Sequence, residues 1–198
     1  MTKTTSRVLS VVGAALAVGA WTYAAAPLKL APESRLWVDG TSTVRSWTCK
    51  AGVVDAAVET TTENAVPAVL GGENAVKAVT FTVPTEKMDC NNGTMNGHMW
   101  KAIKAKDFPT ITFLLGTYTI AKGADSSKAT LNGTLSIGGV TKPITMETKL
   151  SLADNGAMRV AGTYELNMKD YDLKPPTLML GTMKVGEKVK VGFDLVLK

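Results

Sequence analysis

Residues 144–168 read ITMETKLSLADNGAMRVAGTYELNM. Apolar side chains recur at every second position on both sides of a central Asn155-Gly156 step. Successive side chains on a strand point to opposite faces, so this period predicts two strands that each have one apolar face. Asn-Gly between two such runs is the strongest short-range hairpin signal. The stretch therefore predicts an antiparallel hairpin with one face buried and the other in water.

The same alternation continues through most of the chain, which indicates an all-β fold. The predicted strands are 35–49, which can bend near Gly40, 52–63, 76–87, 110–120, 128–137, 141–153, 157–168 and 187–197. Residues 96–106 depart from the pattern and predict a short helix with Met99 and Ile103 on one side. Residues 170–181 contain two adjacent prolines, which a regular central strand does not accommodate, and predict a structured loop.

Consecutive amphipathic antiparallel strands must hide their shared apolar face, and a sandwich or a closed barrel does this. Eight strands closed on themselves leave room for packed side chains or for one small ligand. The inward-facing set is aliphatic and rich in methionine, which adapts to irregular apolar spaces. Both a ligand-binding barrel and a structural or interaction barrel filled by its own side chains are consistent with this pattern.

Composition excludes several classes of protein. The chain has 198 residues, of which 45% are hydrophobic, so it can bury a core and is not disordered. One His and two Cys do not suffice for the common zinc sites, and we predict no metal. A net charge of +5 is too small and too dispersed to indicate nucleic-acid binding. No glycine-rich phosphate loop is present, and we predict no cofactor.

The N-terminal residues have the pattern of a secretory signal peptide. Lys3 and Arg7 precede an uncharged apolar run over 8–20, and small residues follow at 24–26. We predict a signal peptide over 1–25, a short linker over 26–33 and one domain over 34–198. The apolar run is short for a membrane span, although an uncleaved N-terminal anchor is the alternative. The predicted location is therefore periplasmic or secreted, with no stable membrane span after cleavage.

Two cysteines, Cys49 and Cys90, lie in the part of the chain that would be exported. An even pair in an oxidising compartment predicts one disulfide, and two buried free thiols are the alternative. Their spacing is not C-x-x-C, which argues against a redox-active pair.

Three stretches together resemble the YceI-like family, the lipid- or polyisoprenoid-binding domains of bacterial secreted and periplasmic proteins. They are WVDGTSTVRSWT at 37–48, MWKAIKAKDFPTITF at 99–113, and LNGTLSI at 131–137 followed by GVTKPI at 139–144. The resemblance covers residues 34–198. It implies an elongated eight-stranded antiparallel β-barrel, lipocalin-like in shape, with a long apolar tunnel. It also implies binding of an isoprenoid-like or other amphipathic lipid, and no catalysis. The predicted partner is therefore an isoprenoid-like lipid or a quinone.

A tunnel for an isoprenoid tail needs apolar side chains that face inward, because such a tail offers only apolar surface. The candidate lining residues are Trp47, Phe81, Met99, Ile103, Phe113, Met146, Met158, Tyr164 and Phe193. Ordinary barrel core is the alternative for each of them. A phosphate head would need cations at the mouth, and Lys101 and Lys104 beside the predicted helix are the candidates. A solvated charged face is the alternative there.

Catalytic chemistry has few candidates. His98 is the only histidine, and its neighbourhood of turn-forming residues indicates an exposed loop. Asp170 and Asp172 could form an acid–base pair, although turn-forming aspartates are commoner. The nucleophile and zinc-protease motifs G-x-S-x-G and H-E-x-x-H are absent. We predict no catalytic residue, and an enzyme on a lipocalin-like barrel is the alternative.

Overall fold

The structure is a computed structural model that describes residues 26–178 and 181–198. The predicted signal peptide, 1–25, lies outside the described residues. Across the two described ranges, no helix has the length and apolar character needed to cross a bilayer.

Ten strands form one antiparallel sheet in the order β3-β4-β6-β7-β8-β9-β12-β1-β2-β5. They are β1 (Arg35–Thr41), β2 (Ser46–Ala51), β3 (Asp55–Thr60), β4 (Val76–Pro84), β5 (Met88–Asp89), β6 (Thr110–Ala121), β7 (Ser127–Ile137), β8 (Val140–Leu152), β9 (Met158–Asn167) and β12 (Lys188–Leu197). A separate hairpin pairs β10 (Thr177–Leu178) with β11 (Met183–Lys184). The described ranges also contain two α-helices, α1 (Ala65–Leu70) and α2 (Gly93–Ala102), and three short 3-10 turns.

The sheet curls so that its apolar face is enclosed, which confirms the predicted lipocalin-like all-β class. The backbone ladder itself stays open, because β3 and β5 are its two edges. Packing closes the gap: Cys49 on β2 and Val83 on β4 belong to one buried cluster, and Met95 and Met99 of α2 pack against it. Helix α2 therefore stands where a closed barrel would have another strand pairing.

One end of the barrel is filled by side chains, and we call it the closed end. Its buried cluster joins residues from five strands and from α1: Val58, Ala65, Val66, Val69, Ala75, Ala129, Leu150, Met158 and Leu197. Residues 26–33, the predicted linker, pair with the domain at this end. The Lys29 amide donates to Lys198 O at 2.8 Å and the Ala31 amide to Val196 O at 2.8 Å. Leu28 and Leu30 pack against the cluster.

The predicted first strand, 35–49, is in fact the hairpin of β1 and β2. Its turn, residues 42–45, is built by a serine rather than by glycine or proline. The Ser42 hydroxyl accepts from the amides of Val44 at 3.3 Å and Arg45 at 3.1 Å, and donates to Arg45 O at 2.9 Å. Serine forms such turns more weakly than Asn, Asp or Gly, so the sequence signal was faint. The sheet consequently has more strands than the eight predicted.

Helix α1 was not predicted, and α2 begins earlier than predicted. Helix α1 has six residues and includes Pro67, which is tolerated only because it lies in the first turn. In α2, the Asn92 carboxamide oxygen accepts from the Met95 amide at 2.9 Å, so the helix starts at 93 instead of 96. The predicted loop at 170–181 contains part of a 3-10 turn and β10.

Two glycines on the inner face receive aromatic rings from neighbouring strands. A Cβ on Gly162 would lie 2.7 Å from the Phe193 ring, and one on Gly133 would lie 2.6 Å from the Phe113 ring. Phe193 and Gly162 are directly paired across β12 and β9. A side chain at either glycine would therefore collide with the ring that packs against it.

Candidate functional site

A cavity of 410 Å³ occupies the barrel above the closed end. Its volume falls within the range of about 300–1,000 Å³ that is typical of small-molecule sites. Inward-facing residues of β1, β2, β4, β6–β9 and β12 form its wall, and α2 supplies one side. Six methionines line it, namely Met88, Met95, Met99, Met146, Met168 and Met183. Such a wall can adapt its shape to a flexible apolar ligand.

Polar lining residues are gathered at the end opposite the closed end. Of the lining set, only Arg45, Asn92 and Thr94 are exposed. They lie in the β1–β2 turn and at the start of α2. Ser42 and His98 line the same region and are half-buried. The cavity therefore opens there, and we call this the open end.

The structure brings eight of the nine predicted lining residues to the cavity wall: Trp47, Phe81, Met99, Ile103, Phe113, Met146, Tyr164 and Phe193. Met158 is a correction. It is 3% exposed and packs in the closed-end cluster with Leu150 and Leu197. Met158 is on the inward face of β9, as predicted, but it lies at the closed end of the barrel rather than beside the cavity.

Lys101 and Lys104, the predicted headgroup residues, do not line the cavity. Lys101 is exposed on α2, and the Lys104 ammonium donates to Gly138 O at 3.3 Å. Arg45 and His98 are instead the basic residues of the wall. His98 is also not in an exposed loop, because it is a half-buried residue of α2. The sequence could have indicated Arg45, because it lies two positions before the inward-facing Trp47 and side chains two positions apart on a strand share a face.

Two tyrosines beside the cavity have raised pKa values, and within the two described ranges the hydroxyl of one of them lacks a hydrogen-bond partner. Tyr164 lines the wall, and its pKa is raised by burial and by the nearby carboxylate of Asp170. Tyr171 is 3% exposed, and its buried hydroxyl has no hydrogen-bond partner among the described residues. Burial, followed by the neighbouring Tyr164 and Asp170, raises the pKa of Tyr171 to about 12. An unpaired buried hydroxyl costs about 1–3 kcal/mol of stability.

We expect Tyr171→Phe to stabilise the fold by about 1 kcal/mol, because it removes that unpaired hydroxyl. Tyr118→Phe is the matched control and should destabilise the fold, since the Tyr118 hydroxyl accepts from the Val76 amide at 2.9 Å and donates to Val76 O at 3.2 Å. Urea unfolding at pH 8 measures both changes. A loss of stability in Tyr171→Phe would show that the Tyr171 hydroxyl does have a stabilising partner.

The raised pKa of Tyr171 makes the stability of the fold fall as the pH rises above 10. The neutral Tyr171 phenol is favoured in the folded state, so its contribution is complete below the unfolded pKa of about 10. That contribution is lost as the pH rises from there through the folded pKa of about 12. Between pH 10 and 12 the wild type should therefore lose stability faster than Tyr171→Phe does.

The Cys49–Cys90 disulfide is formed and lies against the cavity. Cys49 is on β2 and fully buried, while Cys90 precedes α2. The Cys90 amide donates to the Asn96 side chain at 2.7 Å, and the Trp100 indole donates to Met88 O at 3.2 Å. No residue of α2 is itself fully buried. The bond therefore anchors a helix that packing alone holds only partly.

These features define a lipocalin-like antiparallel barrel with an apolar cavity that opens at one end. The family model described as the YceI-like domain matches residues 37–197. The chain belongs to the YceI-like family. No curated protein sequence matches it.

Solved structures share the fold at low sequence identity. BcnA of Burkholderia cenocepacia is 20% identical with a TM-score of 0.62, over 82% of this chain and 95% of that protein. A polyisoprenoid-binding domain from Saccharophagus degradans, implicated in plant cell wall breakdown, is 12% identical with a TM-score of 0.62, over 89% and 99%. The Campylobacter jejuni YCEI protein is 15% identical with a TM-score of 0.55, over 75% and 82%.

Proposed function

We propose that this protein binds one lipid with an isoprenoid-like tail, the tail inside the barrel and the polar head at the open end. The observation that carries the proposal is the distribution of polarity along the cavity. The wall is apolar from the closed-end cluster upward, and its exposed members, including Arg45, lie at the opening. Membership of a family that has a polyisoprenoid-binding structural relative supports the same ligand class.

Burial of the tail supplies the affinity in this proposal. At about 25 cal/mol per Å², several hundred Å² of tail surface is worth roughly 10 kcal/mol before the costs of association. Quinones with isoprenoid tails have the same apolar part and belong to the same class of candidates. The proposed role is binding rather than catalysis, because the ionisable lining residues in the described part of the chain are Arg45, His98 and Tyr164. The carboxylate of Asp170 lies near Tyr164 but is not part of the wall.

The predicted signal peptide supports a further part of the proposal, namely that the protein works in the periplasm or outside the cell. The disulfide agrees with an oxidising compartment. The role that follows is a carrier, or a protein that sequesters an apolar lipid.

Titration of purified protein with a polyprenol and with the matching polyprenyl phosphate tests this function. Trp47 lines the cavity, so its fluorescence should change saturably at one lipid per chain. Absence of saturable uptake of either lipid, and of an isoprenoid quinone, would overturn the proposal.

Arg45→Gln should weaken polyprenyl phosphate about tenfold and leave polyprenol unchanged. The guanidinium is always charged and can pair with a phosphate, whereas an alcohol gives it little to pair with. Lys50→Gln is the control, because Lys50 is exposed on β2 and does not line the cavity. Equal weakening of both lipids would show that Arg45 does not contact the head.

A further inference from the structure

The rim of the open end combines an exposed apolar tip with unpaired cations. We define the rim as residues 42–45 together with β11 and Lys174. Val44 is 67% exposed at the tip of the β1–β2 turn. The turn is fixed to β11, because the Thr43 amide donates to Lys184 O at 3.0 Å. Arg45, Lys174 and Lys184 have no ion pair in the part of the chain that the structure describes.

Acidic residues are absent from the stretches that border the opening. None occurs between Asp39 and Asp55, between Asp89 and Asp107, or between Asp172 and Glu187. These three stretches include the rim and all of α2. The cations of the rim therefore have no acidic residue within their own stretches of sequence.

The two ends of the barrel carry opposite net charge. At the open end, the connecting segments 42–45, 85–87, 90–109, 138–139 and 168–187 hold eight Lys or Arg and five Asp or Glu. At the closed end, residues 26–33, the connections 61–75, 122–126 and 153–157, and Lys198 hold three Lys and five Asp or Glu. This difference in side-chain charge, about +3 against −2, orients the molecule with its opening toward an anionic surface.

We propose that the rim docks on an anionic lipid bilayer, with Val44 entering the headgroup region, so that a lipid passes between bilayer and cavity without crossing water. The inference rests on the proposed lipid-binding function and adds the surface from which the ligand comes. An apolar tip flanked by Lys and Arg is the combination that interfacial binding requires. A protein partner is the alternative occupant, and the experiment separates the two.

Vesicle co-sedimentation tests the proposal with the full chain and two lipid compositions, phosphatidylcholine alone and a mixture with phosphatidylglycerol. Binding to the anionic mixture should be stronger and should fall as salt rises. Val44→Asp should reduce it about tenfold or more, and Lys184→Glu about 30-fold. Neither residue lines the cavity, so uptake of polyprenol should stay unchanged in both variants.

The closed end offers matched controls. Leu152 is 68% exposed at the last position of β8, and Lys149 is exposed on the same strand. Leu152→Asp and Lys149→Glu should leave vesicle binding unchanged. All variants are prepared with the same N-terminus, so they differ only at the substituted residue. Amide exchange on adding anionic vesicles should slow at 42–46 and not at 151–157.

Three results would overturn the docking proposal: equal binding to both compositions, equal effects at the two ends, or exchange protection absent from 42–46. Polyprenol uptake without any vesicle binding would leave the proposed function intact and point to a protein partner at the rim. Vesicle docking without uptake of any isoprenoid lipid would instead count against the proposed function.

Discussion

Val191→Trp will abolish uptake of an isoprenoid lipid while the protein stays folded. Val191 points into the middle of the cavity from β12, level with Tyr164 on β9 and Val38 on β1. An indole there occupies space that the tail needs. Each displaced methylene costs about 0.8 kcal/mol, so loss of about four of them weakens binding about 100-fold or more.

The neighbouring residue supplies the control for Val191→Trp. Lys190 is exposed on the opposite face of the same strand, so Lys190→Trp adds the same ring outside the barrel. It should leave uptake unchanged. Overpacking in Val191→Trp should cost about 1–3 kcal/mol of stability, which thermal unfolding can verify. A folded Val191→Trp that binds polyprenol like the wild type would show that the lipid is not inside the barrel.

Replacing both Cys49 and Cys90 by Ala is expected to lower the free energy of unfolding by about 4 kcal/mol. The bond spans 41 positions of sequence, and the chain-entropy relation gives that value for a loop of this length. For a domain of this size the melting temperature should fall by about 8–16 °C. Because the bond anchors α2, amide exchange in 93–102 should accelerate more than exchange in β7 or β8.

Reductant distinguishes the bond from the side chains that form it. It should lower the melting temperature of the wild type toward that of the double variant and leave the variant unchanged. A double variant that melts within about 2 °C of the oxidised wild type would contradict the anchoring role.

Alternation predicted the strands well wherever one face of the sheet is apolar and the other is polar. The paired runs of β8 and β9 are the clearest example, since Ile144, Met146 and Tyr164 line the cavity while Leu150 and Met158 pack in the closed-end cluster. Local signals were weaker where side chains rather than turn residues build the connection. The Ser42 turn and the six-residue α1 are of that kind, and both depend on contacts that tertiary structure supplies.

The height of a residue along the barrel could not be predicted from alternation. Met158 and Tyr164 have the same phase on β9, but α1 and residues 28–30 fill the barrel around Met158 and not around Tyr164. Likewise, Lys101 and Arg45 are both near apolar runs, and only the arrangement of α2 against the β1–β2 turn decides which one borders the cavity. The sequence pattern left open a barrel filled by its own side chains and a barrel with room for a ligand. The structure has both, because side chains fill the closed end and a cavity occupies the rest.

Extraction of lipid from the protein as it is purified, without detergent, tests the central claim most directly. Organic-solvent extraction followed by mass spectrometry should recover one apolar-tailed lipid per chain from the wild type and almost none from Val191→Trp prepared in parallel. A wild-type extract free of lipid, from protein that also takes up no added polyprenol or isoprenoid quinone, would contradict the account.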